Sequence, residues 1–265
     1  MGGCLSWRWL NASVAGTSHL RGNLPCQDDC LVDVVSSEGG EVLIAIASDG
    51  AGSAACAEEG SALACEALCV AMTDWTRTNK TPDTLTPQVA EEWVRCIRAA
   101  IETHAKEKNL APRDFACTVV AAVVSEQSAA FLQIGDGAIV VSIAGAPEVV
   151  FWPDSGEYAN MTFFVTDDDW PKHLHFEMRA APVHELALMT DGLQRLALHY
   201  GTRTPHAAFF APMFAALPAE SGYAAGLEIA LVDFLNSGIV NERTDDDKSL
   251  VIAVRDPVGA AHGDC

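Results

Sequence analysis

The order of apolar and polar residues predicts an α+β fold, with mainly antiparallel sheets covered by helices. Three observations lead there. Apolar runs of strand length gather in two blocks rather than standing singly. Each block is interrupted or followed by a pair of helical patterns. The repeated strand–helix–strand alternation that builds a parallel sheet is absent from the sequence.

Taken in order, residues 8–17 and 29–36 read as short strands around a loop. The run Val42-Leu43-Ile44-Ala45-Ile46-Ala47 reads as a buried strand that stops at Ser48-Asp49-Gly50-Ala51-Gly52. A glycine-rich break straight after an apolar strand lets backbone approach a ligand closely. Residues 54–76 show helical spacing, and a polar stretch with Pro82 ends that helix. Residues 87–108 form a second amphipathic helix, with Val89, Trp93, Ile97 and Ile101 on one face. Strands are expected at 115–124, 129–134, 138–144, 148–152 and 161–165. An Asp-rich polar region runs on to about Arg179. A strand at 185–189 leads into Thr190-Asp191-Gly192-Leu193, then helices at about 193–199, 206–216 and 223–237. Asp245-Asp246-Asp247 precedes a last strand, 249–255.

Composition narrows the function. The chain has 265 residues and shows neither an internal repeat nor a long linker, so one domain over 1–265 is expected. Asp and Glu number 36 against 16 Lys and Arg, a formal net charge of -20. That balance argues against nucleic acid, whose binders need a basic stripe. It suits divalent cations, which carboxylates bind, and it also simply favours solubility. Nine cysteines, an odd number without a CxxC pair, point to a reducing compartment and give no support to structural zinc. With no apolar run of membrane-spanning length and no signal-peptide pattern, a cytoplasmic protein is expected. Met1-Gly2-Gly3-Cys4-Leu5-Ser6 fits the loose pattern for N-terminal acylation.

The aspartates carry the chemical signal. Asp49, Asp136 and Asp191 each sit in a tight X-Asp-Gly context, Asp246 stands just before the last strand, and Asp28 lies in an early loop. A strand that stops at Asp-Gly presents its carboxylate at a sheet rim. One such site alone is most simply a turn. Several side by side would make an acidic pocket, where close carboxylates repel and hard divalent ions relieve the repulsion. Turns and a shared metal site therefore both fit these residues.

In their order, these motifs resemble the metal-dependent protein serine/threonine phosphatases of type 2C, in particular their bacterial branch. The resemblance runs from about residue 12 to 255. It rests on Gly16-Thr17-Ser18-His19 through Cys26-Gln27-Asp28, Ser48-Asp49-Gly50-Ala51-Gly52, Ala116-Cys117-Thr118, Gly135-Asp136-Gly137, Thr190-Asp191-Gly192-Leu193 and Asp246-Asp247-Lys248-Ser249. Ser155 to Thr162 is similar to the opening of the family's flap, expected here as an insertion at about 153–184.

The resemblance implies a four-layer α-β-β-α sandwich with two divalent ions, manganese or magnesium, in a cleft at one end. Asp49 would bridge both ions. Asp191 and Asp246 would complete the shell of the first. The Gly50 carbonyl and Asp28 would hold the second, and Asp136 would contribute to a weak third. The implied reaction is attack of a metal-bridging water on phosphoserine or phosphothreonine in a protein that a serine/threonine kinase has modified.

Several positions depart from the family pattern. Asn23 stands where many members carry a phosphate-gripping Arg, with Arg21 close enough to substitute. Ala51 stands where some place a proton-donating His, and His19 is the alternative, an imidazole suited to proton transfer near neutral pH. Arg195 occupies the place of a further acidic ligand, and Asp247 that of the usual Asn, an exchange of short polar residues to which no role is attached. A catalytically weak relative that binds phosphoproteins and a small-molecule phosphatase are the alternative readings.

Overall fold

A computed structural model describes residues 6–37, 39–78, 81–143, 145–152 and 162–255. The chain opens with β1 (Arg8–Val14), α1 (Thr17–Gly22), β2 (Asp28–Ser37) and β3 (Gly40–Asp49). Two long helices follow, α2 (Ala57–Thr78) and α3 (Pro87–Lys108). Next come β4 (Val119–Val124), β5 (Ala129–Ile134), β6 (Ala138–Ile143), β7 (Ala146–Val149), β8 (His175–Arg179) and β9 (Glu185–Met189). The last part contains α4 (Gln194–Ala197), β10 (Leu198–His199), β11 (Thr204–Pro205), α5 (Ala207–Ala216), β12 (Gly222–Tyr223), α6 (Glu228–Leu235), α7 (Gly238–Asn241) and β13 (Lys248–Val254).

Two large sheets result, in the orders β12-β1-β13-β9-β6-β7 and β2-β3-β4-β5-β8, while β10 and β11 pair in a small antiparallel ribbon of their own. All their pairings are antiparallel except the short parallel contact of β12 with β1. Strand alternation splits the side chains between layers. On β3, Val42, Ile44 and Ile46 face α2 and α3, while Leu43, Ala45 and Ala47 face the other sheet. On β9, Leu186 and Leu188 join that inter-sheet core, while Ala187 and Met189 pack under α5 and α6. Three apolar layers thus separate four layers of structure, the α-β-β-α sandwich.

α3 shows why a helix forms where it does. Pro87 opens it after Thr86, and Asn109 closes it in the left-handed conformation at φ 57°. Ala90, Trp93, Val94, Ile97, Ile101 and Ala105 make its buried stripe, and Trp93 meets Trp75 of α2 edge to face at 5.8 Å.

Some expected elements differ. The loop after β1 contains α1, which buries none of its own side chains. Residues 162–164 make no strand pairing: the Asp167 carboxylate accepts from the Phe164 N–H at 2.8 Å and turns the chain instead. The strand expected at 148–152 is β7, shifted to Ala146–Val149. β8 alternates polar and apolar residues over only five positions within the Asp-rich stretch, too short a trace to stand out, and it pairs with β5 at the sheet edge. The helix expected at 193–199 stops at Ala197, where β10 begins, and the one expected at 223–237 is confined to Glu228–Leu235. Residues 153–161, which include most of the flap-like opening, and the acylation-like residues 1–5 lie outside the described residues. The seven described cysteines are free thiols. Among the described residues, no helix is long and apolar enough to cross a membrane.

A close helix contact gives a stability test. A Cβ on Gly60 of α2 would lie 2.3 Å from the Phe115 carbonyl oxygen, a backbone atom that cannot swing away. Helix propensity favours Gly60→Ala by about 1 kcal/mol, while overpacking costs about 1–3 kcal/mol. The clash is with rigid backbone, so we expect Gly60→Ala to lower Tm in a thermal melt. An unchanged or raised Tm would show that α2 shifts freely over this turn.

Candidate metal centre

Register brings the carboxylates together. Asp28 opens β2 directly opposite Asp49, which closes β3. On the other sheet, Ala138 and Leu250 both pair with Met189, so the chain segments bearing Asp136, Asp191 and Asp246 leave the sheet at the same end. Oxygens of Asp49, Asp136 and Asp191 lie within 4.8 Å of one another. Asp28 is buried, and Asp246 stands on the exposed side of a cleft of about 170 Å³ that it shares with His19, Gln27, Asp49, Gly50 and Asp247. A larger cavity of about 710 Å³ between α5 and α6 is lined by no carboxylate. Convergent polar groups, rather than size, mark the chemical site.

Backbone and hydroxyl contacts hold these side chains. Thr118 binds Asp49 on both sides: its hydroxyl accepts from the Asp49 N–H at 3.1 Å, and its own N–H donates to the Asp49 carbonyl at 2.8 Å. The Thr190 hydroxyl donates to Asp28 at 2.6 Å and accepts from the Ser249 N–H at 2.9 Å, which ties the two sheets together. Thr162 donates to Asp136 Oδ2 at 2.7 Å, and the Gln194 amide reaches the Asp136 carbonyl. Gly50 has no room for a side chain, because a Cβ would meet the Ala57 and Gln27 carbonyls at 2.5 and 2.6 Å.

The electrostatics follow from crowding. Burial pushes the Asp49 carboxyl up to about 11, and the charges of Asp28, Asp191, Asp136 and Asp246 add to it. Burial likewise raises Asp191 to about 7, with Asp136 and Asp246 contributing. It drives Asp28 well above the ordinary carboxyl range against the opposing Thr190 hydrogen bond, and it raises Asp246 as well. Asp136 Oδ1 is buried without a hydrogen-bond partner among the described residues. An all-oxygen set with an unpartnered buried oxygen and strained charge fits hard divalent cations.

Other expected residues fall around this centre. His19 lines the cleft, with Nδ1 2.7 Å from Asp247 Oδ2. Arg21 does not line it: its Nε donates to the Thr17 carbonyl at 2.9 Å, and a terminal nitrogen lies 3.4 Å from Asp245, with both side chains more than two-thirds exposed. Asn23 caps α1 in the left-handed conformation at φ 54°, which Asn adopts more readily than most residues. Thr118, Thr190 and Asp247 were missed as site residues. The first two carried a signal: Thr118 stands just before an apolar strand, and Thr190 just beyond one, beside Asp191.

The chain is similar to known proteins across nearly its whole length. A family model described as protein phosphatase 2C matches residues 15–236. Serine/threonine-protein phosphatase 3 of Escherichia coli (strain K12) is 38% identical over 252 residues, which covers 94% of this chain and 99% of that protein. The catalytic domain of the serine threonine protein phosphatase PstP, solved with two manganese ions, superposes with a TM-score of 0.58 at 16% identity, covering 96% of this chain and 100% of that one. Serine/threonine phosphatase Stp1 from Staphylococcus aureus gives 0.58 at 14% identity, covering 97% of each chain. PppA of Pseudomonas aeruginosa, a regulatory component of T6SS, gives 0.59 at 15%, covering 95% of this chain and 98% of that one. At these identities the solved structures show the shared fold.

The carboxylates set a pH dependence for the metal-free chain. Folding raises their pKa values above the ordinary 3.8, so the folded state binds more protons than the unfolded one and stability falls as pH rises. The loss begins near the unfolded value, passes about 7 for Asp191 and continues toward about 11 for Asp49. We expect Tm in excess chelator to fall between about pH 5 and about pH 8, and Asp49→Asn to raise the chelated Tm at the higher pH. A pH-independent Tm in both proteins would contradict the crowding of charge described here.

Proposed function

The chain belongs to the protein phosphatase 2C family, and from that premise we propose that it hydrolyses phosphoserine and phosphothreonine in proteins with two divalent ions, manganese or magnesium. The observation that carries this reading is the approach of Asp49, Asp136 and Asp191 to within 4.8 Å from three separate segments. When bound, the ions supply a water of lowered pKa as nucleophile and neutralise charge on the phosphoryl group.

The chain's own residues divide the work. Asp49, at the centre, would bridge the two ions. Asp191 and Asp246 would complete one shell, and the Gly50 carbonyl and Asp28 the other. Asp136 would join Asp49 and Asp191 closely or support a weak third ion. His19, in the wall of the cleft, would give a proton to the leaving hydroxyl. Arg21 would grip the phosphate by exchanging its contact with Asp245, an exposed ion pair worth about 0–1 kcal/mol and so readily given up. The substrate is a phosphoprotein made by a serine/threonine kinase. We place the reaction in the cytoplasm and the activity in one domain, in keeping with the free cysteines. No nucleic-acid or membrane-spanning partner enters this reading.

Hydrolysis of p-nitrophenyl phosphate and of a phosphothreonine peptide, with manganese, magnesium or chelator, tests it. We expect turnover only with metal, and a loss of about 10³-fold or more in Asp49→Ala. Wild-type protein without metal-dependent turnover would sink the phosphatase reading. Full activity in Asp49→Ala would move the site elsewhere. Arg21→Ala should raise KM more than it lowers kcat; an unchanged KM would remove Arg21 from phosphate binding.

A further inference from the structure

Asp247, one residue beyond the proposed ligand Asp246, is almost wholly buried at 2% exposure. Its carboxylate collects three donors. Oδ1 accepts from the Gly16 N–H at 2.6 Å, and Oδ2 accepts from the Gln27 N–H at 2.6 Å and pairs with His19 Nδ1 at 2.7 Å. Asparagine, with one acceptor oxygen and an NH2 group, cannot satisfy three donors spread over both positions. It would set its NH2 against the Gln27 N–H and the imidazole, or leave Gly16 unpaired. The carboxylate is therefore required by what surrounds it.

The same segment holds α1 in place. A six-residue helix that buries none of its side chains has little stability of its own. Ser18 donates to the Asp245 carbonyl through its N–H at 2.9 Å and its hydroxyl at 2.6 Å. A Cβ on Gly16 would lie 2.3 Å from the Asp245 carbonyl oxygen, so the loop rests directly on residues 245–246. His19 is carried on this docked helix, and its side chain is 15% exposed in the wall of the cleft.

We propose that Asp247 is a positioning residue that acts through His19. It accepts the hydrogen bond from Nδ1–H and so leaves Nε2, on the far edge of the ring, for the leaving group of the substrate. This rests on the phosphatase reading above. In the step, a water oxygen forms the new P–O bond and gives up a proton to solvent, while the P–O bond to the seryl or threonyl oxygen breaks with its electron pair going to that oxygen. The oxygen takes the proton from Nε2 of the doubly protonated ring. The ring is left neutral, with Nδ1 keeping its proton and still donating it to Asp247, and regains the Nε2 proton from solvent. A buried carboxylate behind the imidazole fixes the orientation of the ring.

Leaving-group dependence tests this. p-Nitrophenolate leaves without a proton, whereas a threonyl alkoxide needs one. We expect His19→Ala and Asp247→Asn each to lower kcat on a phosphothreonine peptide by about 10²-fold, and by at least about tenfold more than on p-nitrophenyl phosphate. The double variant should be no worse than the poorer single variant. Equal losses on both substrates in Asp247→Asn would reduce Asp247 to a structural role, and losses that multiply in the double variant would show that it does not act through His19. Wild-type protein inactive on both substrates would overturn the phosphatase reading itself, a separate outcome. If Asp247→Asn does not fold, as judged by circular dichroism, the wild-type His19 ring decides. A downfield Nδ1 proton resonance that His19→Ala removes supports the pairing, and its absence overturns it.

Discussion

Mutual repulsion of carboxylates at one rim of two stacked sheets is the constraint on which the rest of the molecule depends. Asp28, Asp49 and Asp191 sit where burial and neighbouring charge both oppose ionisation. Left to themselves they would spread apart or stay protonated. The cores on either side prevent spreading. Leu43, Ala45 and Ala47 of β3 pack against Leu186 and Leu188 of β9, so the strand ends cannot separate without opening the inter-sheet layer. The molecule thus stores unfavourable charge in a form that divalent cations relieve, as binding sites do when they trade stability for function.

The two halves of the rim are joined by hydrogen bonds as well as by packing. Thr190 links Asp28 on one sheet to the Ser249 backbone on the other. Asp247, from the end of one sheet, fastens Gly16, His19 and Gln27 ahead of the other. Lys248, fully buried, donates to the Asn241 amide oxygen at 3.0 Å and puts one positive charge beneath the acidic rim. These contacts explain how side chains from five segments keep a common geometry. They also join the acidic rim to the segment that carries His19, since Asp246 and Asp247 are neighbours in the chain.

Much of this was legible in the chain before folding. The apolar run at 42–47 and the stripe through Trp93, Ile97 and Ile101 marked strand and helix correctly, and the run expected at 115–124 is a strand over 119–124, because burial on one or both faces leaves a periodic trace. β8 left only a weak one, since its polar–apolar alternation, His175-Phe176-Glu177-Met178-Arg179, spans five residues inside a polar stretch. α1 left none, because its position comes from contacts with residues 245–247 and not from its own apolar face. The strand expected at 161–165 does not form over 162–164, where the Asp167 side chain takes the Phe164 backbone hydrogen bond and turns the chain.

For the site, the sequence by itself determined which carboxylates could matter. Strand-terminal aspartates beside glycine are a local pattern, and local patterns survive in one dimension. Only the tertiary structure decided which of them meet. Asp49, Asp136 and Asp191 converge because strand register and sheet stacking bring distant segments to one point, which spacing along the chain cannot encode. The same holds for Asp247. As a residue type it looked exchangeable with asparagine, and it became distinctive only when folding set three donors around both of its oxygens.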